Sequence, residues 1–465
     1  MLPPLPRLPR EDAGPSRLFE LVDASNFYAS CERVFRPDLR RTPIAVLSNN
    51  DGCVIARSDE VRAMDIPIGA PYFKIRRRLA DAGVAVFSSN YELYADLSRR
   101  VVETLSTFTP DVEPYSIDES FLVFATPRPA LREPTRLAAL AGAIHDRVAQ
   151  WTKIPVRASI ASTKTLAKIA SRVAKQRIRA GRVPAVSLHG MPPAAMDALL
   201  EATPVEAVWG VGRATAAKLH AHGAPTARHF RDLPDAWVRQ HLHTAGLRTA
   251  YELRGVSCIP MARTPPPRRT LMRSRSFGRR VTRKAEMREA LAMHATKACE
   301  TLRAEGLVAR AVQVFYHTAR HGPDPQHRAA AAAPLPLPTA RTADVAAAAR
   351  RLLDATWPAR PYRFAKAGLM LLDLAPADRA QGDLFVPERP AQARLDDAVD
   401  RLNRRFGRSV ARRPHVFLAS TGLAGAATPR TETGHAWSMR REHASPAYTT
   451  RWAELPRVTS AGLAR

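Results

Sequence analysis

Between Val112 and Phe124 a run of β-branched and aromatic residues, the composition of a buried β-hairpin, is interrupted by two adjacent carboxylates, Asp118 and Glu119. Asp and Glu are poor strand formers, and successive strand side chains point to opposite faces. Both acids therefore reach one site only if the pair sits at a turn or a strand end. A third acid, Asp23, stands where the apolar strand Leu18–Val22 ends and the chain turns. If it approaches the pair, two anions ~4 Å apart repel by ~4 kcal/mol at an effective dielectric of 20, so such a cluster requires a cation. Carboxylate oxygens without His or Cys select Mg²⁺ or Mn²⁺ over zinc. Each acid also has an ordinary reading, since Asp is common in turns and acidic pairs occur widely on solvated surfaces.

The surrounding pattern places these acids in a larger fold. A second strand is predicted at Ile44–Leu47 and a short helix around Val54–Met64. Leu93, Leu97, Val101, Leu105 and Phe108 then recur at helical spacing over Tyr91–Phe108. A helix (Leu137–Trp151), a strand (Val156–Ile160) and a helix (Thr165–Ala174) follow. This order suggests a split β-α-β layout, with helices on one face of a mixed sheet. Residues 204–262 read as helices joined by Gly-marked turns, and Pro265–Pro267 as a linker. Beyond it, a basic strand (Arg273–Arg283), a helix (Ala285–Ala304), a strand (Val312–Tyr316), an Ala/Pro-rich loop (Ala329–Pro338), a helix (Ala343–Ala355) and a strand (Gly368–Leu374) make a second small α+β domain. Past Pro376 the chain turns polar, and residues 386–465 carry 14 Arg, no Lys and seven acids, which reads as a partly ordered tail.

The 465 residues suggest roughly three domains. Lys and Arg number 71 against 43 acids, a formal charge of +28, which attracts polyanions, nucleic acid first among them. Because 62 of the 71 are Arg, a coding bias explains Arg over Lys, but not why acids fail to balance them. No stretch approaches the ~18 apolar residues of a membrane span. The first sixteen residues have five Pro and no apolar signal core, and read as a loose tail. Cys31, Cys53, Cys258 and Cys299 have no Cys-x-x-Cys spacing, which fits a reducing, intracellular compartment.

Two of the nine Lys, Lys164 and Lys168, open a predicted helix, where a compact point charge suits a phosphate. Arg57 is a second phosphate candidate, its guanidinium able to grip with two parallel bonds. Among so many cations, solvated faces are the ordinary alternative. Taken together, the segments Asp23–Glu32, Val46–Arg57, Phe87–Asp96, Tyr115–Glu119 and Thr163–Lys168 resemble the Y-family translesion DNA polymerases, on the branch that works with a processed UmuD dimer. The resemblance implies an α+β multidomain right hand. A loose tail (1–16) precedes a catalytic palm (17–203) with inserted fingers (about 31–95) and a helix-hairpin-helix thumb (204–262). A little finger (268–376) and a polar C-terminal region (377–465) complete it.

Carried over residue by residue, the family's metal triad falls on Asp23, Asp118 and Glu119, with the Ala24 carbonyl as a further ligand for two Mg²⁺ ions, or Mn²⁺ in their place. Arg57 and Lys168 match its triphosphate contacts, and Tyr28 its steric gate against a ribose 2′-hydroxyl. Around Trp209 the glycine turn Gly210–Gly212 with Arg213 resembles the hairpin whose N–H groups hold a DNA phosphate. Arg273, Arg275, Arg279, Arg280 and Arg283 resemble the little-finger backbone contacts. Gln381, Leu384 and Phe385 resemble a sliding-clamp peptide, and Pro446–Trp452 the region associated with the UmuD dimer and the RecA filament. The implied activity is error-prone, template-directed synthesis on primer-template DNA with dNTPs, in the cytoplasm at the nucleoid. A polymerase-shaped scaffold without chemistry is the first alternative, opposed by the intact acids. A nucleotidyl cyclase or two-metal nuclease is the second, opposed by the Gly hairpin and the basic domain.

Overall fold

The computed structural model describes residues 17–125, 134–179, 185–262, 267–321, 324–381, 390–406, 439–450 and 454–455. Its chain divides into two compact units, one of Met1–Ser48, Gly52–Pro265 and His443–Arg465, the other of Asn49–Asp51 and Pro266–Glu442.

The first unit opens with β1 (Arg17–Ala24) and α1 (Phe27–Val34), then β2 (Ile44–Leu47), β3 (Val54–Arg57), α2 (Asp59–Ala63), α3 (Tyr72–Asp81) and β4 (Ala85–Ser88). It continues with α4 (Tyr91–Leu105), β5 (Val112–Pro114), β6 (Glu119–Ala125), α5 (Pro134–Thr152), β7 (Val156–Ala161), α6 (Lys164–Arg179) and β8 (Ala185–Ser187). Four helices end it: α7 (Pro193–Glu201), α8 (Arg213–Ala221), α9 (Ala227–Asp232) and α10 (Asp235–Leu253).

The larger sheet runs β5-β6-β1-β7-β8, antiparallel except for the last pair. A smaller sheet runs β3-β2-β4. Along β1 the parity rule sorts the residues into two packed faces. Val22 and Ala24 join Leu97 of α4 with Ile144 and Val148 of α5, whereas Leu21 joins Leu166 and Ala170 of α6. Helices therefore cover both faces, not one as the element order suggested. The parallel β7-α6-β8 crossover has its own apolar stripe to bury, and the face opposite α5 is the free one. The stretch expected as a helix from Val54 begins instead as β3, and helix returns only at Asp59, after the extended Ser58.

The second unit holds β9 (Thr270–Val281), α11 (Lys284–Ala304), β10 (Leu307–Thr318), β11 (Arg328–Thr339), α12 (Thr342–Thr356), β12 (Phe364–Pro376) and α13 (Pro390–Phe406). Its sheet runs β11-β10-β12-β9, all antiparallel, over a core shared with α11 and α12. The segment expected as an Ala/Pro loop is the edge strand β11. Pro334, Pro336 and Pro338 are tolerated there because an edge strand has one side with no ladder to supply. The polar tail, expected as partly ordered, contains a defined helix. In this helix, α13, Asp396 and Asp400 are buried against Arg303, the latter at 2.7 Å. No helix among the described residues is long and apolar enough to cross a membrane.

Candidate active site

Strand register builds the site. Asp23 on β1 lies directly opposite Glu119 on β6 and Arg157 on β7, so all three side chains stand on the sheet face that α6 covers. Glu119 is the first residue of β6, and Asp118 immediately precedes it in a tight turn. There the Tyr115 and Ser116 N–H groups both donate to the Glu119 carbonyl at 3.0 Å. The Asp118 carbonyl accepts from the Ala24 N–H at 2.8 Å, which ties this turn to the end of β1. Ala24 itself buries its methyl on the opposite face.

Every acid in this row has a partner. Arg157, 6% exposed, places Nη2 2.5 Å from Asp23 Oδ1 and donates from Nη1 to Ser25 Oγ at 2.8 Å. Ser171 of α6 donates to Asp23 Oδ2 at 3.4 Å. Lys168, one turn earlier on α6, sets Nζ 2.7 Å from Glu119 Oε2. The same ammonium lies 4.4 Å from the Tyr115 ring centre, 5.8 Å from that of Phe121 and 5.9 Å from that of Trp209. Trp209 Nε1 donates to Tyr115 Oη at 3.0 Å, so the cage is closed by a hydrogen bond as well as by packing. Asp118 turns to Ser116, whose Oγ donates to it at 2.6 Å.

Among the described residues no three His, Cys, Asp or Glu side chains stand close enough together to hold an ion. The acids meet as backbone neighbours rather than as a closed ligand set. Their chemistry nevertheless fits hard divalent cations. Two carboxylates share one face, no thiolate or imidazole competes, and Arg157 and Lys168 occupy the positions where positive charge is required.

Tyr28 extends from α1 and stacks on Tyr94 at 4.4 Å and 16°, with Tyr91 edge-on to both. Burial, then the neighbouring Tyr91 and Asp118, push its phenol above the usual range. Arg57 ends β3 with a buried Nε that has no hydrogen-bond partner, and makes no ion pair among the described residues. A donor left unpaired in this way is able to take an anionic acceptor. Lys164 behaves differently from Lys168. It is 1% exposed, held at 2.5 Å by Glu113 and donating to the Pro260 carbonyl at 2.9 Å, so it is a structural cation.

The glycine turn lies before α8. Gly210 takes φ +89°, where an L side chain is strained, and a Cβ there would also approach Thr249 Oγ1 to 3.2 Å. Gly212 precedes the first turn of α8 in extended conformation and Arg213 is exposed. In the second unit Arg275 is exposed on β9, whereas Arg279 and Arg283 both bind the buried Glu286, at 2.5 and 2.7 Å. The sheet face away from the helices forms an open trough lined by Met272, Phe315, Arg320, Arg328, Lys366 and Met370. Gln381 is exposed, while Leu384 and Phe385 lie outside the described residues.

Sequence reasoning missed Arg157, Ser171 and the Tyr115–Trp209 cage. The one available signal was an arginine inside the otherwise small and apolar strand Val156–Ala161, an arrangement that demands a buried counter-charge.

The chain matches the impB/mucB/samB family over residues 22–172 and that family's C-terminal domain over residues 268–384. A domain of unknown function matches residues 393–458. Protein UmuC of Salmonella typhimurium (strain LT2) is 40% identical over 446 residues, covering 95% of this chain and all of the relative. Protein ImpB of Salmonella typhimurium is 38% identical over 442 residues, 94% of this chain and 99% of the relative. DNA polymerase IV of Alkalilimnicola ehrlichii is 32% identical over 304 residues, 64% of this chain and 81% of the relative. A solved Y-family DNA polymerase chimera shares the fold, with a TM-score of 0.59 at 17% identity, over 77% of this chain and 98% of that one.

Proposed function

The chain belongs to the impB/mucB/samB family of UmuC-like Y-family DNA polymerases, and from that premise we propose that Asp23, Asp118 and Glu119 are the ligands of its catalytic divalent cations. It is a DNA-directed DNA polymerase, and its reaction is template-directed synthesis across damaged DNA. One observation carries the ligand assignment: Asp23 and Glu119 form a cross-strand pair on one sheet face, and each already rests on a cation.

Two Mg²⁺ ions, when bound, neutralise charge on the attacking and leaving oxygens of nucleotidyl transfer. The chain's own residues bind and orient. Arg57, with its unmet donor, and Lys168 grip the triphosphate. Tyr28, stiffened by its stack on Tyr94, lies beneath the sugar and excludes a 2′-hydroxyl. The N–H groups after Gly210 and Gly212, with Arg213, take a DNA phosphate without reading sequence. Arg275 and the basic trough of the second unit hold the duplex backbone, and Arg279 adds to them on leaving Glu286. Gln381, Leu384 and Phe385 engage a sliding clamp, and a processed UmuD dimer and a RecA filament assist synthesis in the cytoplasm at the nucleoid. A scaffold without chemistry is not favoured, since all three acids are present.

The test is primer extension by the full chain with Mg²⁺ and dNTPs, supplied with RecA filament and a UmuD partner, comparing wild type with Asp118→Ala. Loss of about 10³-fold or more is expected for a transition-state charge stabiliser. Equal extension by the two proteins removes Asp118 from the site. Replacing Leu384 and Phe385 by Ala should weaken clamp binding and spare short, clamp-free synthesis.

A further inference from the structure

Far from the acidic row in sequence, residues 443–449 return to the catalytic unit and seat across four of its elements. Next to the edge strand β4 the Ser88 N–H donates to the His443 carbonyl at 2.9 Å, and the His443 N–H donates back to Ser88 Oγ at 3.1 Å. The His443 ring shares a 3.1 Å hydrogen bond with Tyr72 of α3 and meets that ring edge-on. Asn90, 3% exposed at the start of α4, donates to Ser445 Oγ at 2.9 Å and to the Pro446 carbonyl at 3.0 Å. Tyr448 is 3% exposed and stacks on Phe35 at 4.6 Å and 15°, inside the core that α1 and α4 share. Thr449 donates to Asp96 of α4 at 2.8 Å.

The seat has the marks of a built interface: a backbone bond to the edge strand answered by a backbone-to-hydroxyl bond, a buried aromatic anchor and polar groups paired across it. It falls inside the domain of unknown function. Its centre also leads to the nucleotide side of the unit. Ser445 Oγ donates to Glu32 Oε1 at 3.1 Å, Tyr94 Oη donates to the same oxygen at 2.7 Å, and Tyr94 carries the Tyr28 ring on its face at 4.4 Å. Glu32 is fully buried, and both donors meet its Oε1 there.

We propose that residues 443–449 are an integral brace of the nucleotide pocket, which fixes Tyr94 through Glu32 and thereby holds Tyr28 rigid enough to discriminate between sugars. The brace is a positioning element and touches no substrate. Its seating is independent of any role for Tyr28, whereas its effect on sugar choice rests on the steric-gate reading given above.

Full-length Tyr448→Ala, Tyr448→Phe and Tyr28→Ala test it, with two readouts. Hydrogen exchange at residues 88–96 should accelerate about tenfold or more in Tyr448→Ala and remain at the wild-type rate in Tyr448→Phe, which keeps the stack. The ratio of kcat/KM for dNTP to that for rNTP should fall about tenfold in Tyr448→Ala and stay unchanged in Tyr448→Phe. Exchange that is the same in wild type and Tyr448→Ala means that the segment is not seated, and overturns the proposal. Exchange that accelerates while sugar discrimination holds, in a protein where Tyr28→Ala does relax it, overturns the link to the pocket. If Tyr28→Ala itself leaves discrimination intact, the steric-gate reading fails and the link to sugar choice falls with it. The exchange result then still decides the seating.

Discussion

Glu20 offers a measurement whose size follows from its surroundings. It sits in β1 opposite Leu122 and Ile160, fully buried, and neither carboxylate oxygen has a hydrogen-bond partner among the described residues. Burial alone pushes its carboxyl up from 4.5 to about 8. A folded pKa above the unfolded one means that the neutral acid is the form the fold accepts. Stability from this group is therefore complete below pH ~4.5 and is lost as pH rises toward ~8. At ~1.4 kcal/mol per unit the full loss is ~5 kcal/mol, of which ~3 kcal/mol is already gone at pH 7. Glu20→Gln, which cannot ionise, should match wild type within ~1 kcal/mol at pH 5 and exceed it by ~5 kcal/mol at pH 9. Urea unfolding of both proteins across that range, followed by tryptophan fluorescence, reads the difference directly and cancels every other titration. A stability gap that does not change with pH would falsify the argument.

Arg157→Gln removes the cation that faces Asp23. The Mg²⁺ concentration giving a half-maximal rise in melting temperature should drop about tenfold, or ~1.4 kcal/mol, and an unchanged value would mean that Arg157 does not compete for the acid. In Lys164→Met the buried Glu113 loses its ion-pair partner, at a cost of ~3–5 kcal/mol. Adding Glu113→Leu should restore most of that stability, and simple additivity of the two losses in a double-mutant cycle would refute the coupling.

Local residue pattern carried much of this molecule. The β-branched run around Asp118 and Glu119 forces the acids to a strand start, and Glu119 is indeed the first residue of β6. The helical spacing from Leu93 to Leu105 gave α4, and the strand from Leu18 gave β1, because period and propensity act over neighbours in the chain. The same locality explains the failures. Whether α6 lies on the same face as α5 is a matter of handed crossovers, and whether a proline-rich run can be a strand depends on its having only one neighbour. Arg157 meets Asp23 across 134 residues because β7 pairs with β1 in one register, and a slip by one residue would turn it to the other face. Tyr448 meets Phe35, and Ser445 meets Glu32, across more than 400 residues. The sequence by itself determined which residues carry charge and where the chain turns. Only the tertiary structure decided which cation neutralises which acid and what covers Tyr94, since those partners are chosen by packing between segments that have no neighbours in common along the chain.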